Sequence, residues 1–198
     1  MVGATPISEY LDELAGAAPT PGGGAAAALT GAQGVALLSM VCRLTAGREK
    51  FSAVEGEIRS ILAIMDETRP RLLEMADRDI HAFRLTLKAY KLPKETVDEA
   101  DARHRAIQDA LKACSEVPFE LFNTCRAMLP LADRLEQIAN PSVMSDVLVG
   151  RYLLVAGVLG AKANVDVNLA GIDDSVFCTG KRRHMEQMLR ESRIPTGI

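Results

Sequence analysis

Apolar residues recur along most of the chain at the three- and four-residue spacing of amphipathic helices, and no segment is typical of a strand. This pattern predicts a short first helix over residues 5–17 and a second helix, nearly free of charge, from about 24 to 46. A capping box at Ser52–Glu55 predicts the start of a third helix. We expect Pro70 to kink or divide this helix, which should stop at residues 91–93.

The second half of the chain continues the helical pattern. A fourth helix is predicted over about 97–116 and a fifth over about 118–139, because Pro118 suits the first position of a helix. A sixth, again nearly uncharged, covers about 145–169, and a last amphipathic helix follows residues 173–174. The sequence therefore predicts an all-α helical bundle with long apolar helices. Two long uncharged helices present more apolar surface than one chain of this length easily buries, and this favours a homodimer whose interface covers part of it.

The composition agrees with one helical domain over residues 1–198. Apolar residues make up 48% of the chain and aromatic residues only 4%, without tryptophan, so alanine and leucine supply most of the apolar surface. Such a composition favours packing of helices over a β-sandwich. The net charge of −3 and the absence of a long basic run argue against a nucleic-acid partner.

The stretch from Gly22 to Cys42 carries no charge and is long enough to span a membrane. Its three glycines, its polar residues and its many alanines, without a flanking aromatic belt, favour a helix buried in a protein core instead. The N-terminal residues lack the basic-then-apolar order of a signal peptide. The four scattered cysteines are expected to be buried free thiols, so we predict a cytoplasmic protein with no membrane partner and no metal site.

One carboxylate falls on the apolar face of the third helix. With Leu72 at 0°, Asp79 lies at about −20°, whereas Asp77 and His81 lie at about 140° and about 180°, outside the apolar arc. A buried carboxylate either pairs with a cation or has a raised pKa, as a general acid–base requires. Both alternatives stay open from this pattern: a catalytic Asp79, or a structural ion pair with another helix.

Two further features suit either a ligand or close helix packing. The glycines of Pro21–Gly24 let a ligand or a second backbone approach, and the helix behind them begins with free N–H groups. In the sixth helix, Asn164 and Asn168 lie one turn apart on the same face as Asp146 and several glycines. Their amides suit a ligand or an interhelical hydrogen bond. Asp146 and Asn164 are about 27 Å apart along the helix, so they would meet only across a dimer.

Several motifs stand in a fixed order over nearly the whole chain: LDELAGAAPTPGGGAAAALTG, DRDIHAF, LPKETVDE, SEVPFEL and SDVLVGRYLLVAGVLGAKANVDVNLAGIDD. In combination they resemble the cyclodeaminase/cyclohydrolase family of folate one-carbon enzymes. This family includes methenyltetrahydrofolate cyclohydrolases and the cyclodeaminase domain of formiminotransferase-cyclodeaminase. The resemblance implies an all-α fold that dimerises and a folate substrate.

The resemblance also implies roles for individual residues. The proposed proton donor and acceptor of the family matches Asp79, four residues before the phenylalanine of DIHAF. The asparagines would orient the pterin or the water, and two basic residues would meet the glutamate tail. The substrate-binding positions carried over in this way are Pro21, Gly22, Gly23, Gly24, Arg48, Lys94, Ser145, Asp146, Asn164 and Asn168.

The expected activity is hydrolysis of 5,10-methenyltetrahydrofolate to 10-formyltetrahydrofolate, with the tetrahydrofolate derivative as substrate and no other cofactor. We prefer it because the chain stands alone and its SMVCRLT and GIDD stretches are similar to cyclohydrolases of methylotrophs. One alternative is a cyclodeaminase, which releases ammonia from formiminotetrahydrofolate. Another is a non-catalytic helical dimer that binds a folate or a partner protein.

Overall fold

The computed structural model of the protein describes residues 1–192 and residue 194, and this part of the chain is helical without any strand. The predicted all-α class is therefore confirmed. In chain order, α1 to α6 span Ile7–Ala15, Gly23–Thr45, Glu55–Tyr90, Val97–Ile138, Met144–Leu169 and Ser175–Glu191. Short 3-10 segments lie at Val2–Ala4, Glu49–Val54 and Pro141–Val143.

Helices α2 to α5 form an up-down-up-down bundle in which each helix packs antiparallel to the next and α5 returns to α2. Close contacts fix this register between each pair of neighbours: Gly24 with Asp79, Thr86 with Ala110, Cys125 with Gly157, and Gly150 with Gly34. Apolar side chains from these helices and α6 form one continuous hydrophobic core. All four cysteines are buried and free, as the sequence predicts.

Two helices continue through prolines where the sequence predicted interruptions. A single α4 runs over Val97–Ile138, so the predicted boundary between a fourth and a fifth helix is wrong. Pro118 is buried between Val117 and Leu121, and this packing holds the helix together although the proline lacks an N–H donor. Pro70 does not divide α3 either, because the helix is continuous on both sides of it.

The capping box predicted at residues 52–55 does not form. The side chain of Glu55 instead accepts a hydrogen bond of 2.8 Å from the backbone N–H of Gly47. Gly47 has a φ of 73°, a conformation that suits glycine and turns the chain after α2. A capping box does stand at the start of α4, where Thr96 accepts from the N–H of Glu99 and the glutamate side chain accepts in return.

Small residues bring α2 and α5 into close contact. A Cβ on Gly34 would lie 2.8 Å from the carbonyl oxygen of Gly150, and a Cβ on Gly160 would lie 3.0 Å from the Cβ of Ala27. Real Cβ atoms do not approach a backbone oxygen so closely, so position 34 requires glycine, and position 160 leaves little space for a side chain where the two helices cross. The prediction that small residues of this helix admit a close neighbour is confirmed, and the neighbour is α2.

Helix α2 and the segment Pro141–Leu169 are both long and apolar enough, by length and composition alone, to cross a membrane. Helix α2 is a core helix, since 61% of its most apolar window is buried, which agrees with the sequence prediction. For α5 the corresponding share is 28%, so much of its apolar surface is uncovered. We call this surface the α5 face; it consists of Val149, Tyr152, Ala156, Ala163 and Val167.

Gly34→Ala should lower the free energy of unfolding by about 1–3 kcal/mol, because its methyl group would push against the backbone of Gly150 and separate α2 from α5. The matched control is Gly180→Ala in α6, where a Cβ would meet no atom within 4 Å. It should raise stability by about 0.5–1 kcal/mol through helix propensity alone. Urea unfolding of both variants measures the difference, and a Gly34→Ala protein as stable as wild type would contradict the close packing.

Candidate active site

The start of α2 lies directly against the carboxylate of Asp79 on α3. A methyl group on Gly24 would overlap this carboxylate, so the side chain of Asp79 occupies the space that any other residue would fill. Gly22 is the N-terminal cap of α2, in an extended conformation, and it receives no side-chain cap. The first N–H groups of α2 thus face the same region as Asp79, and the N–H of Ala25 donates a hydrogen bond to its carboxylate.

The environment of Asp79 disfavours its charged form. Burial raises the pKa of the Asp79 carboxyl, and the hydrogen bond from Ala25 offsets only part of this effect. Within residues 1–192 and 194, no Lys, Arg or His side chain forms an ion pair with it. The prediction that this carboxylate points into an apolar environment is confirmed, and the alternative of a structural ion pair finds no partner in the described chain.

The neighbouring polar residues of α3 point elsewhere, as the helical periodicity predicts. Asp77 accepts a hydrogen bond of 2.8 Å from the N–H of Val2 and holds the start of the chain on α3. His81 is exposed. Asp79 is therefore the one of these three polar side chains that faces the start of α2.

Asn164 of α5 lies next to the start of α2, on the side opposite Asp79. A Cβ on Gly23 would lie 3.3 Å from Nδ2 of Asn164, while this amide nitrogen donates 2.8 Å to the carbonyl of Gly160. Asn168 donates instead to the carbonyl of Cys114 on α4, at 3.3 Å. For Asn168 the sequence left a ligand and an interhelical hydrogen bond open, and its amide nitrogen makes the interhelical bond.

The other predicted binding residues lie far from Asp79 within one chain. Ser145 and Asp146 begin α5, and eighteen residues of helix, about 27 Å, separate Asp146 from Asn164. Arg48 follows the C-terminal end of α2, at the same end of the bundle. Lys94 follows α3, beyond eleven residues, about 16 Å, of helix after Asp79. A single chain therefore unites Asp79 with Pro21–Gly24 and the asparagines only.

Two buried residues near Asp79 were not among the predicted site residues. The charge of Asp79 contributes to a raised pKa of both the Tyr10 phenol and the Cys114 thiol, after the larger effect of their own burial. Both residues fit the apolar pattern of their helices, and that pattern gave no sign of a polar role. Among the described residues, no three His, Cys, Asp or Glu side chains are grouped as metal ligands.

These features define a class of protein: an antiparallel helical bundle with a partly buried carboxylate at the glycine-rich start of a core helix, without an ion-pair partner among residues 1–192 and 194. A carboxylate of this kind exchanges protons with a bound small molecule more readily than an exposed one does near neutral pH.

The family model for formiminotransferase-cyclodeaminase matches residues 6–187. The chain belongs to this family. It is 41% identical to a methenyltetrahydrofolate cyclohydrolase of Methylorubrum extorquens, over 97% of this chain and 92% of that protein. It is 35% identical to the formimidoyltransferase-cyclodeaminase of Rattus norvegicus, over 97% of this chain but only 36% of the rat protein. A solved formiminotetrahydrofolate cyclodeaminase from Thermotoga maritima superposes with a TM-score of 0.83, at 30% identity, over 98% of this chain and 90% of that one.

Asp79→Asn should raise the melting temperature at about pH 7.5, because the charged carboxylate is desolvated in the fold and the amide is neutral. Since burial raises the pKa of Asp79, the folded protein binds this proton more tightly than the unfolded chain does. The stability of the wild type therefore falls as the pH rises through that raised pKa. The difference between variant and wild type should shrink in acid, where Asp79 is protonated.

Calorimetry across this pH range measures the effect, with Asp12→Asn, an exposed aspartate of α1, as the control that should change little. If Asp79→Asn lowers the melting temperature at neutral pH, the carboxylate is stabilised by contacts other than those described above.

Proposed function

We propose that this protein is a methenyltetrahydrofolate cyclohydrolase and that Asp79 is its general acid–base. The observation that carries the proposal is the carboxylate of Asp79, unpaired within the described chain and desolvated against Gly24 at the start of α2. The 41% identical relative, which carries this activity in its name and matches the chain over nearly its full length, supports the substrate. The buried free thiols suit a reducing, cytoplasmic location.

The chemistry uses one carboxylate twice. Asp79 takes a proton from water while the water oxygen bonds to the carbon of the cationic N5–C–N10 bridge, which gives a neutral tetrahedral adduct. The protonated Asp79 then gives its proton to N5 as the N5–C bond breaks. The hydroxyl of the adduct loses its proton to solvent and becomes the formyl oxygen. The products are 10-formyltetrahydrofolate and one proton, and no step needs a metal or a second cofactor.

The binding residues follow from the same geometry. Pro21–Gly24 would form one wall of the pocket, because Gly23 and Gly24 have no side chains between the helix start and a ligand. The free N–H groups there suit a carbonyl oxygen or a carboxylate of the folate. Asn164 stands beside this wall and would orient the pterin or the water. Lys94 would meet the glutamate tail, which extends well beyond the reacting carbon.

Asp79→Asn should lower kcat about 100- to 10,000-fold, because the amide cannot accept the proton of water, and should raise KM, because the amide does not attract the cationic methenyl bridge. In the wild type, kcat/KM should rise with pH through the raised pKa of Asp79, since the ionised form is the base and kcat/KM reports the free enzyme. Loss of methenyl absorbance above the spontaneous rate measures turnover. Asp77→Asn, two residues away on α3, is the matched control and should keep wild-type activity, because the amide oxygen can still accept the hydrogen bond from Val2. Full activity in Asp79→Asn would exclude this residue as the acid–base.

A second candidate function is formiminotetrahydrofolate cyclodeaminase, and the structural match to the Thermotoga maritima protein of that name favours it. N10 would then bond to the formimino carbon and ammonia would leave that carbon, which gives 5,10-methenyltetrahydrofolate, with the same carboxylate as proton carrier. Ammonia release from formiminotetrahydrofolate, measured beside methenyl hydrolysis, separates the two activities. Tight folate binding without either turnover would instead favour a non-catalytic binding dimer.

The α5 face supports a homodimer. It runs the length of α5 without a charged residue, and Tyr152 and Val167 are 63% and 75% exposed. A second copy of the same helix matches this surface, because a two-fold axis near Ala156 would pair α5 with itself in antiparallel orientation. Ser145 would then lie opposite Val167, and small side chains at the centre would let the helices approach.

This arrangement would unite the two distant groups of predicted residues. Asp146 of the partner subunit would come toward Asn164 and Asn168, although the two ends of α5 are far apart in one chain. Arg48 of the partner subunit lies at the same end of its bundle and would approach the folate as well. Each site would thus combine Asp79 of one chain with the start of α5 from the other.

Complementation tests this shared site. Asp79→Asn and Asp146→Ala should each inactivate the homodimer, but a one-to-one mixture refolded together should recover about a quarter of wild-type activity, because half of the dimers then hold one native site. No recovery would mean that both residues serve the same chain, and full activity of Asp146→Ala alone would mean that Asp146 has no role.

The oligomeric state gives an independent measurement. A Val149→Asp/Val167→Asp protein should elute with the mass of one 21.3 kDa chain and lose activity, whereas wild type should have twice that mass. Val176→Asp on α6, where the valine is 82% exposed, is the control that should remain dimeric.

A further inference from the structure

Tyr10 of α1 combines a fully packed ring with a hydroxyl that has no partner. The residue is 3% exposed, and its hydroxyl oxygen is buried without any hydrogen bond within the described chain. Phenylalanine would fill the same space without an unsatisfied polar atom, since buried hydroxyls are nearly always hydrogen-bonded. The hydroxyl therefore points to a partner that is not part of the described chain.

The position of Tyr10 indicates what this partner is. The start of the chain is fixed on α3, because the N–H of Val2 bonds to Asp77 and Gly3 lies over Leu73. Helix α1 follows at once, and beyond it Thr20 accepts a hydrogen bond of 3.3 Å from Arg84 of α3, so α1 runs between two anchors that lie on either side of Asp79 along α3. The charge of Asp79 contributes to the raised pKa of the Tyr10 phenol, although no hydrogen bond joins the two side chains. The Tyr10 hydroxyl has no hydrogen-bond partner, and the Asp79 carboxylate has no ion-pair partner within the described chain, so one atom of a bound ligand could contact both.

We propose that the Tyr10 hydroxyl is a catalytic hydrogen-bond donor to the oxygen that water adds to the substrate at Asp79. This inference rests on the proposed cyclohydrolase function and adds a second residue to its chemistry. The adduct hydroxyl is neutral, but its oxygen gains negative charge as it loses its proton and the N5–C bond breaks, and the Tyr10 O–H donates to it at this stage. The same donor then holds this oxygen while it becomes the formyl carbonyl. Tyr10 keeps its own proton throughout, so the proton balance of the reaction does not change.

A donor of this kind acts mainly in the transition state. Tyr10→Phe should lower kcat at least about tenfold and leave KM within about twofold, since the charge on the oxygen develops only during the reaction. The variant should keep or exceed the wild-type melting temperature, because it removes a buried hydroxyl without a partner. Tyr90→Phe is the matched control, since the Tyr90 side chain is 47% exposed at the end of α3, and it should keep wild-type kinetics.

The kinetic outcomes separate the two proposals. Wild-type kcat in Tyr10→Phe, or a raised KM with unchanged kcat, overturns the role of Tyr10 and leaves Asp79 in place. A wild-type protein that does not turn over the methenyl substrate overturns the proposed function itself. A drop in kcat that comes with a proportionate drop in melting temperature means that Tyr10 acts by packing, which also overturns its role as a donor.

A spectroscopic signal tests the bond directly. The chain has three tyrosines and no tryptophan, so in a Tyr90→Phe/Tyr152→Phe background Tyr10 is the only tyrosine. Labelled with 3-fluorotyrosine, this protein should give one fluorine resonance, and saturating 10-formyltetrahydrofolate should shift it. A resonance that does not move while the product binds shows that the hydroxyl does not contact the reacting end of the folate and overturns the proposal.

Discussion

The close approach between the carboxylate of Asp79 and the backbone of Gly24 is the constraint on which the rest of the site depends. It requires glycine at the second residue of α2, since any side chain there would displace the carboxylate. It also removes water from Asp79 and supplies only one N–H, from Ala25, in return. The contact between Gly24 and Asp79 thus determines both how closely α2 packs on α3 and how strongly burial raises the pKa of Asp79.

The same small-residue packing extends along α2 to α5. Gly34 and Gly150 fix the register of these helices near one end of the bundle, and this register places Asn164 beside Gly23 at the other end. Asn164 and Asp79 therefore stand on either side of the α2 start because of contacts well outside the site. Glycines that serve only packing determine where a polar group of the site is placed.

The sequence predicted the helices and the position of Asp79 because both follow from the 3.6-residue period of one chain segment. The sequence-based prediction was wrong where tertiary contacts outweigh local preference. Packing against buried neighbours keeps α4 continuous through Pro118. The side chain of Glu55 binds the N–H of Gly47, so it does not form the predicted capping box. Sequence motifs also do not show at which end of the bundle a residue lies, so they grouped Arg48 and Asp146 with Asp79 although these residues lie at the opposite end of one chain. The ring of Tyr10 fits the apolar pattern of α1, and this pattern does not predict a role for its hydroxyl.

No cationic side chain of the described residues pairs with Asp79, and this agrees with the charge of the proposed substrate. A guanidinium there would keep the carboxylate ionised, but it would also repel a cationic methenyl bridge and hold the base in an ion pair. A desolvated carboxylate gains most from a ligand that brings its own positive charge, because that charge stabilises the ionised form needed to accept a proton. Ring opening removes the charge from the folate and with it this attraction. The same burial that costs stability in the free protein thus favours binding of the cation over the neutral product.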